Sequence, residues 1–420
     1  MNIHIKNGNV VDPVNGINKV RDVYVRDGRI SGPFDGPFDR VLDARGMYVF
    51  PGLIDVHCHL RDPGFEYKED IYTGTASAVK GGFTSICPMP NTDPICDNAA
   101  VVDYIVTKAK KAGNCNVFPI GAVSKGQRGE ELAEIGNMAD QGIVAVSDDG
   151  LPVKEGGFMM KAMKYAWDYK LFVISHSEDL SLSNKGHMNE GYTSTLLGLT
   201  GIPSIAEEAM IARDILISSY TGIPVHIAHI STKGSVDLIR QAKSKGVKVT
   251  CETCPHYFTL TEEACLGYNT MAKMNPPLRT SEDMKAIIEG IQDGTIDMIA
   301  TDHAPHHDDE KLTQFSQASN GIIGFETAFA LAFTYLVKSE IISIDQLIRL
   351  MSVNPSHTFK LGRGNLGLGS PADIVVIDVD NPFVFHKDET LSKSKNSPYD
   401  GWELYGKTLH TIVGGRVVYG

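Results

Sequence analysis

The sequence predicts an α/β fold: a (β/α)8 TIM barrel carrying a small β-sandwich domain formed from both chain ends. Three observations predict it. Short apolar runs alternate with helical stretches eight times through the middle of the chain, the period of a (β/α)8 barrel. Both ends are strand-rich and broken by Gly and Pro. At 420 residues the chain exceeds one compact core of ordinary size and calls for a large domain plus a smaller one.

From the N-terminus, residues 2–11 alternate polar and apolar and then turn at Asp12-Pro13. Val23–Arg26 and Val41–Phe50 read as further strands. At the other end, Ala372–Asp378 is an Ile/Val strand and Thr408–Tyr419 a hairpin about Gly414-Gly415. The reading divides the chain into residues 1–50 and 363–420, two parts of one β-domain, and a metal-binding barrel over residues 51–362. The eight barrel strands expected are Leu53–Val56, Thr84–Cys87, Val117–Ile120, Val144–Ser147, Phe172–Ser175, Val225–Ala228, Val247–Cys251 and Met298–Thr301. Helical stretches between them include Ile71–Lys80, Ala99–Ala112 and Ile205–Ser219.

Composition excludes several functions. Net charge is −12 with scattered basic residues, so the basic footprint of a nucleic-acid binder is missing. No apolar run reaches the ~20 residues of a membrane span. The first residues alternate like a strand and lack a signal-peptide core, so a cytoplasmic location is expected. Seven cysteines spread along the chain argue against a disulfide framework. Cys251 and Cys254 form one Cys-x-x-Cys pair with no second pair, which favours packing over a zinc knuckle.

Chemistry gathers at the strand ends. His57 and His59 are two apart on the first strand and therefore face the same way. That strand end is the face where barrel enzymes place their active sites. The fourth strand runs into Asp148-Asp149-Gly150, the fifth into His176, the sixth into His229 and the eighth into Asp302. Four His and two Asp at one rim offer enough ligands for one or two divalent ions, with a carboxylate available to bridge. Zn²⁺ suits imidazole plus carboxylate, and Mn²⁺ or Co²⁺ would also fit.

These motifs resemble the amidohydrolase superfamily. The run His57-Cys58-His59-Leu60-Arg61-Asp62-Pro63-Gly64 is similar to that of the class I dihydroorotases. So are Pro88-Met89-Pro90-Asn91-Thr92, Ser147-Asp148-Asp149-Gly150, Glu252-Thr253-Cys254-Pro255-His256, Asn275-Pro276-Pro277-Leu278-Arg279 and Gly369-Ser370-Pro371-Ala372-Asp373. The resemblance implies one metal on His57, His59 and Asp302, a second on His176 and His229, and Asp149 between them. It implies substrate contacts from His59, Arg61, Asn91, Asn275, His306, Asn320 and Gly321, and Asp302 as general acid/base. The family pattern has an aromatic residue before the glycine where this chain has Asn320. Many amidohydrolases carry a carbamylated lysine at the fourth strand; here the nearest downstream lysine is Lys154, beyond a Gly-Leu-Pro turn.

The activity so implied is the reversible conversion of L-dihydroorotate to N-carbamoyl-L-aspartate in pyrimidine (UMP) synthesis. The partners implied are a small-molecule substrate, a second copy of the chain in a dimer, and aspartate transcarbamoylase. The alternatives are an allantoinase, dihydropyrimidinase or hydantoinase, and, in another class, a barrel serving as a non-catalytic scaffold. The long polar loop from His303 to Gly321 is expected to act as a lid.

Overall fold

The computed structural model describes residues 1–420. Its centre is a closed ring of parallel strands: Leu53–Cys58, Phe83–Pro88, Asn116–Val117, Val146–Ser147, Val173–Ser175, Val225–Ile227, Val249–Thr253 and Met298–Ile299. Neighbours pair in that order. Two single bridges complete the ring, Gly121 with Val146 and Cys58 with His303. All eight expected barrel strands are present. The third pairs as a ladder only at Asn116–Val117, because Pro119 has no N–H to donate. Its backbone still runs in register, with Phe118 N–H donating to the Ile86 carbonyl and Ile120 N–H to Pro88.

Inward-facing side chains fill the ring rather than leaving a pore. Ile54, Val56, Cys87, Met89, Ile120, Ile174, Ala228, Met298 and Phe359 form one buried cluster there. The surrounding helices start where sequence signals place them. Asp70 caps Ile71–Lys80 and forms a capping box with Thr73; Asn98 caps Ala99–Ala112. Thr232 and Thr280 do the same for Lys233–Ser244 and Ser281–Gln292. Cys251 and Cys254 pack in the apolar layer between ring and helices, as all seven free cysteines are buried.

The chain ends meet in one mixed eight-stranded sheet. Strand Ile3–Asp12 pairs antiparallel with Ile17–Arg26 and parallel with both Arg40–Asp43 and Tyr48–Pro51. Tyr48–Pro51 then pairs with Ile374–Asp378 from the C-terminal end, which joins Lys407–Val413 and Arg416–Tyr419. The two layers expected of a sandwich are halves of this one curled sheet. Its edge at Arg29 returns to bridge Pro371, and the Ile30 N–H donates to the Ser370 carbonyl. Ile3, Ile5, Val25, Val49, Ile374, Val376 and Ile412 enclose its core. The expected single strand Val41–Phe50 is instead two strands split by a turn, in which Met47 N–H donates to Ala44 and Gly46 holds φ +76°.

Candidate active site

Along the first barrel strand Asp55, His57 and His59 follow one another toward the rim, and all three are buried. Asp55 accepts hydrogen bonds from Thr301 N–H (3.0 Å), Thr301 Oγ1 (2.6 Å) and His57 N–H (3.3 Å). This locks the first strand to the eighth beneath the cluster. His59 N–H donates to the His303 carbonyl at 2.8 Å, extending the same seam. Arg61, His229 and Asp302 all hold positive φ, at +58°, +29° and +45°. Non-glycine residues in that region are costly and collect at functional sites.

His57, His59, Asp149, His176, His229 and Asp302 converge on one small volume and are all buried. His57 Nε2 lies 3.3 Å from Asp149 Oδ1 and 3.6 Å from Asp302 Oδ1. His59 Nε2 lies 3.1 Å from Asp302 Oδ1. His176 Nδ1 and His229 Nε2 are 2.9 Å apart and approach Asp149 Oδ1 at 3.3 and 3.7 Å. Two sets have donor atoms close enough to share an ion: His57, His59 and Asp302; and His57, Asp149 and His229. Buried polar atoms are normally satisfied, yet His57 Nε2 and Asp149 Oδ1 have no hydrogen-bond partner. Unpartnered imidazole and carboxylate donors facing a common point are what a divalent cation requires. The donor set therefore fits one.

Electrostatics agree. Burial alone would raise the Asp149 carboxyl, but the His57 charge and the close approach of His176 and His229 hold it well below its ordinary range. Asp302 is likewise held low against burial, by His59 and the charges of His57 and His229. His176 rises to about 10, burial opposing, because Asp149 and Glu178 hold its proton. The field that retains protons on these rings is the field that would hold a metal in their place.

Above the cluster opens a cavity of about 560 Å³. His59, Arg61, Asn91, Asn275, His306, Asn320 and Gly321, every residue expected to touch substrate, line it. Asn91 Oδ1 accepts from His59 Nδ1 at 2.9 Å, and its amide reaches Asp149 at 3.4 Å. The chain's Asn320 meets the site through its backbone, its carbonyl 2.8 Å from His306 Nε2. Gly321 sits at φ +124°, where a Cβ would come within 2.5 Å of Ala304 Cβ; only glycine fits. The polar loop expected as a lid contains a short helix, Asp308–Lys311, and is pinned from beneath. Lys311 Nζ donates to the carbonyls of Ser319 (2.8 Å), Gly321 (3.1 Å) and Lys273 (3.2 Å).

Several residues at the site escaped the sequence reading. Glu252 receives the His57 Nδ1 proton at 2.5 Å and also faces His226 Nε2 at 3.1 Å. Glu178 accepts from the Asn275 amide at 2.9 Å. Lys185 and Lys273 add positive charge to the cavity wall, and His187, lowered by burial and by the Lys273 charge, adds a neutral ring. Glu178 carried a signal, standing two residues beyond His176 on the same strand end. No lysine occupies the position of Asp149: Lys154 is exposed, its carbonyl accepting from Arg213.

Residues 46–235 match the model of the Dihydro-orotase-like family, and residues 260–419 that of the Amidohydrolase family. The chain is 57% identical over 417 residues to a dihydroorotase of Acetivibrio thermocellus, covering 99% of this chain and 98% of that protein. The chain belongs to the dihydroorotase family. A second member, from Ruminiclostridium cellulolyticum, is 55% identical, covering all of this chain and 98% of that one. Dihydroorotase-family membership makes the chain a hydrolase acting on cyclic amides, with a small molecule as its substrate. Among solved structures, the L-hydantoinase (dihydropyrimidinase) of Arthrobacter aurescens superposes with a TM-score of 0.88 at 25% identity, over 99% of this chain and 96% of that one. This dihydroorotase-family barrel thus shares its architecture with hydantoinases, while sequence aligns it with dihydroorotases. No helix is long and apolar enough to cross a membrane.

Proposed function

We propose that the chain interconverts L-dihydroorotate and N-carbamoyl-L-aspartate, the ring-closing step of pyrimidine (UMP) synthesis, with zinc as its metal. The observation that carries this reading is Arg61. Its guanidinium lines the cavity that holds the His/Asp cluster, and no carboxylate of the protein pairs with it. Its neighbours are the Pro305 carbonyl at 3.2 Å and His306 Nε2 at 3.3 Å. Burial and the charge of Arg61 push His306 well below its ordinary value, so its ring is neutral; its Nε2–H donates to the Asn320 carbonyl and brings no negative charge to Arg61. A half-buried guanidinium is a receptor for a carboxylate. Dihydroorotate has one; allantoin, hydantoin and dihydrouracil do not.

His57, His59 and Asp302 would hold one ion, His176 and His229 the other, and Asp149 would span both. A divalent metal there supplies Lewis acidity for water and for the ring carbonyl. Asp302 is proposed to accept the proton of the attacking water and to return it to the ring nitrogen as the C–N bond breaks. Its lowered pKa keeps it ionised at neutral pH, so a carboxylate oxygen is there without a proton. Arg61, Asn91 and Asn275 would fix the substrate carboxylate, so that the scissile carbonyl meets the cluster in one orientation. The same reading takes residues 1–50 with 363–420 as one β-domain beside the barrel, and the protein as a cytoplasmic homodimer that associates with aspartate transcarbamoylase. The test is turnover by the zinc-loaded protein of dihydroorotate, allantoin and dihydrouracil side by side. Turnover of dihydroorotate alone supports the reading; comparable rates on the other two refute it.

A further inference from the structure

The stretch from His386 to Asp400 reads as a solvated polar loop, yet Ser392, Ser394, Asn396 and Ser397 are all buried. Its side chains grip two loops of the barrel rim. Ser394 Oγ donates to the Lys68 carbonyl at 2.7 Å, and the Ser392 hydroxyl donates to Glu69. Lys393 Nζ sits 2.5 Å from Asp70 Oδ2 and 2.8 Å from the Glu66 carbonyl. These contacts tie residues 66–70, past Arg61 in the chain, to the C-terminal segment.

Asn396 fixes the other loop, and none of its surface is accessible. Its Oδ1 accepts from the His306 N–H at 3.1 Å. Its Nδ2 donates to the carbonyls of Ala304 and Gly321, both at 3.0 Å. Its own carbonyl accepts from the Ile323 N–H at 2.9 Å. One amide thus joins the start and the end of the 304–321 loop. Arg61 stands against this second loop: its Nε donates to the carbonyl of Pro305, the residue between the two that Asn396 holds.

Resting on the substrate reading above, we infer that Asn396 is a positioning residue of the active site. It sets where Pro305 and His306 stand against Arg61, and through them the direction in which the guanidinium faces a substrate carboxylate. The C-terminal segment thereby belongs to the substrate site while contributing no side chain to the cavity wall. Asn396 bonds to no residue of the His/Asp cluster, so its loss acts on substrate capture and leaves metal binding intact.

The experiment compares Asn396→Ala and Asn396→Ser with Ser394→Ala in the full-length, zinc-loaded protein. Metal content, melting temperature, KM and kcat for dihydroorotate are measured on each. Misplacing a positioning group by about 1 Å costs on the order of 10²-fold in rate constants that depend on it. We expect Asn396→Ala to raise KM roughly tenfold or more, with kcat falling less than about threefold and metal content unchanged. Asn396→Ser, which keeps a hydroxyl, should recover part of the KM, and Ser394→Ala should leave it near wild type. An unchanged KM in the folded Asn396 variants, an equal KM rise in Ser394→Ala, or failure of both Asn396 variants to fold would each overturn the inference. Wild-type protein inactive on dihydroorotate would instead overturn the substrate reading on which it rests.

Discussion

His57 Nδ1 lies 2.5 Å from Glu252 Oε1, and neither side chain is accessible to solvent. Glu252 is itself held by His226, whose other nitrogen meets Thr250 Oγ1 at 2.8 Å. A carboxylate that takes the outer proton of a ring fixes both its tautomer and its orientation. The His57 ring is thus turned so that Nε2 faces Asp149 and Asp302. The charges of His57 and His226 and their hydrogen bonds hold Glu252 at about 2, against the upward pull of burial.

Glu252→Gln keeps the shape of the side chain and removes its charge. Partners of this kind are typically worth ~10–100-fold in metal affinity. We expect Zn²⁺ affinity, measured by competition with a chelating dye, to fall within that range while the fold is retained. Unchanged affinity would show that His57 needs no anionic partner to bind.

Arg61 supplies the substrate test. A substrate without a carboxylate leaves the guanidinium unpaired, and sites built around a polar substrate group reject analogues lacking it by large factors. Dihydroorotate should exceed dihydrouracil by at least ~10³ in kcat/KM, and Arg61→Met should erase most of that preference. A preference that survives the substitution would place carboxylate recognition elsewhere.

The convergence of the His/Asp cluster was legible because strand geometry is simple. His57 and His59 are two apart, and an ionisable residue follows the fourth, fifth, sixth and eighth apolar strands directly. The residues that support the cluster were not. Glu252 is embedded in a strand whose neighbours are apolar or small, and nothing in a single sequence says that His57 lies against it. The segment around Asn396, Ser-Lys-Ser-Lys-Asn-Ser, has the composition of a solvated loop; its burial depends on partners more than 70 residues distant in the chain. The fold shows the same division. Barrel strands carry their own apolar signal, whereas the curl of the terminal sheet depends on Arg29 meeting Pro371 across the whole chain.

Asp149 sets a chemical condition. A lysine must be carbamylated before it can join two metals, but an aspartate is ready as it stands. Metal-stripped protein should regain full activity with zinc in bicarbonate-free buffer. A strict requirement for bicarbonate would assign the bridging place to a lysine.

Burial lowers Lys311 to about 7, with the Lys273 charge adding to the effect. Its unfolded value is near 10.5. Between those two values the unfolded chain holds a proton that the folded chain has shed, so this group makes stability rise with pH across that window. Below about 7 both states are protonated and the penalty for the buried charge is complete. The slope is at most ~1.4 kcal/mol per pH unit. Lys311→Met removes this dependence. The melting temperature of the variant relative to wild type should therefore become steadily less favourable from pH 7 to pH 9. A difference independent of pH would show that Lys311 stays charged beneath the loop.

Asp302 is proposed both to hold metal and to move the proton, and Asp302→Asn separates the two. The amide keeps an oxygen for a metal but is no base. His57, His59, His176, His229 and Asp149 remain, and the structure puts no other carboxylate of the cluster within 3.1 Å of His59 Nε2. General acid–base groups are typically worth ~10²–10⁴ in rate. With metal content measured on the same sample, kcat should fall by at least that range. KM should change little, because the substrate carboxylate is proposed to be held by Arg61, Asn91 and Asn275 and not by Asp302. The loss should also persist across the neutral pH range, since no group of similar basicity replaces the carboxylate. Near-normal kcat in a metal-replete Asp302→Asn protein would remove Asp302 from proton transfer and leave it as a ligand alone.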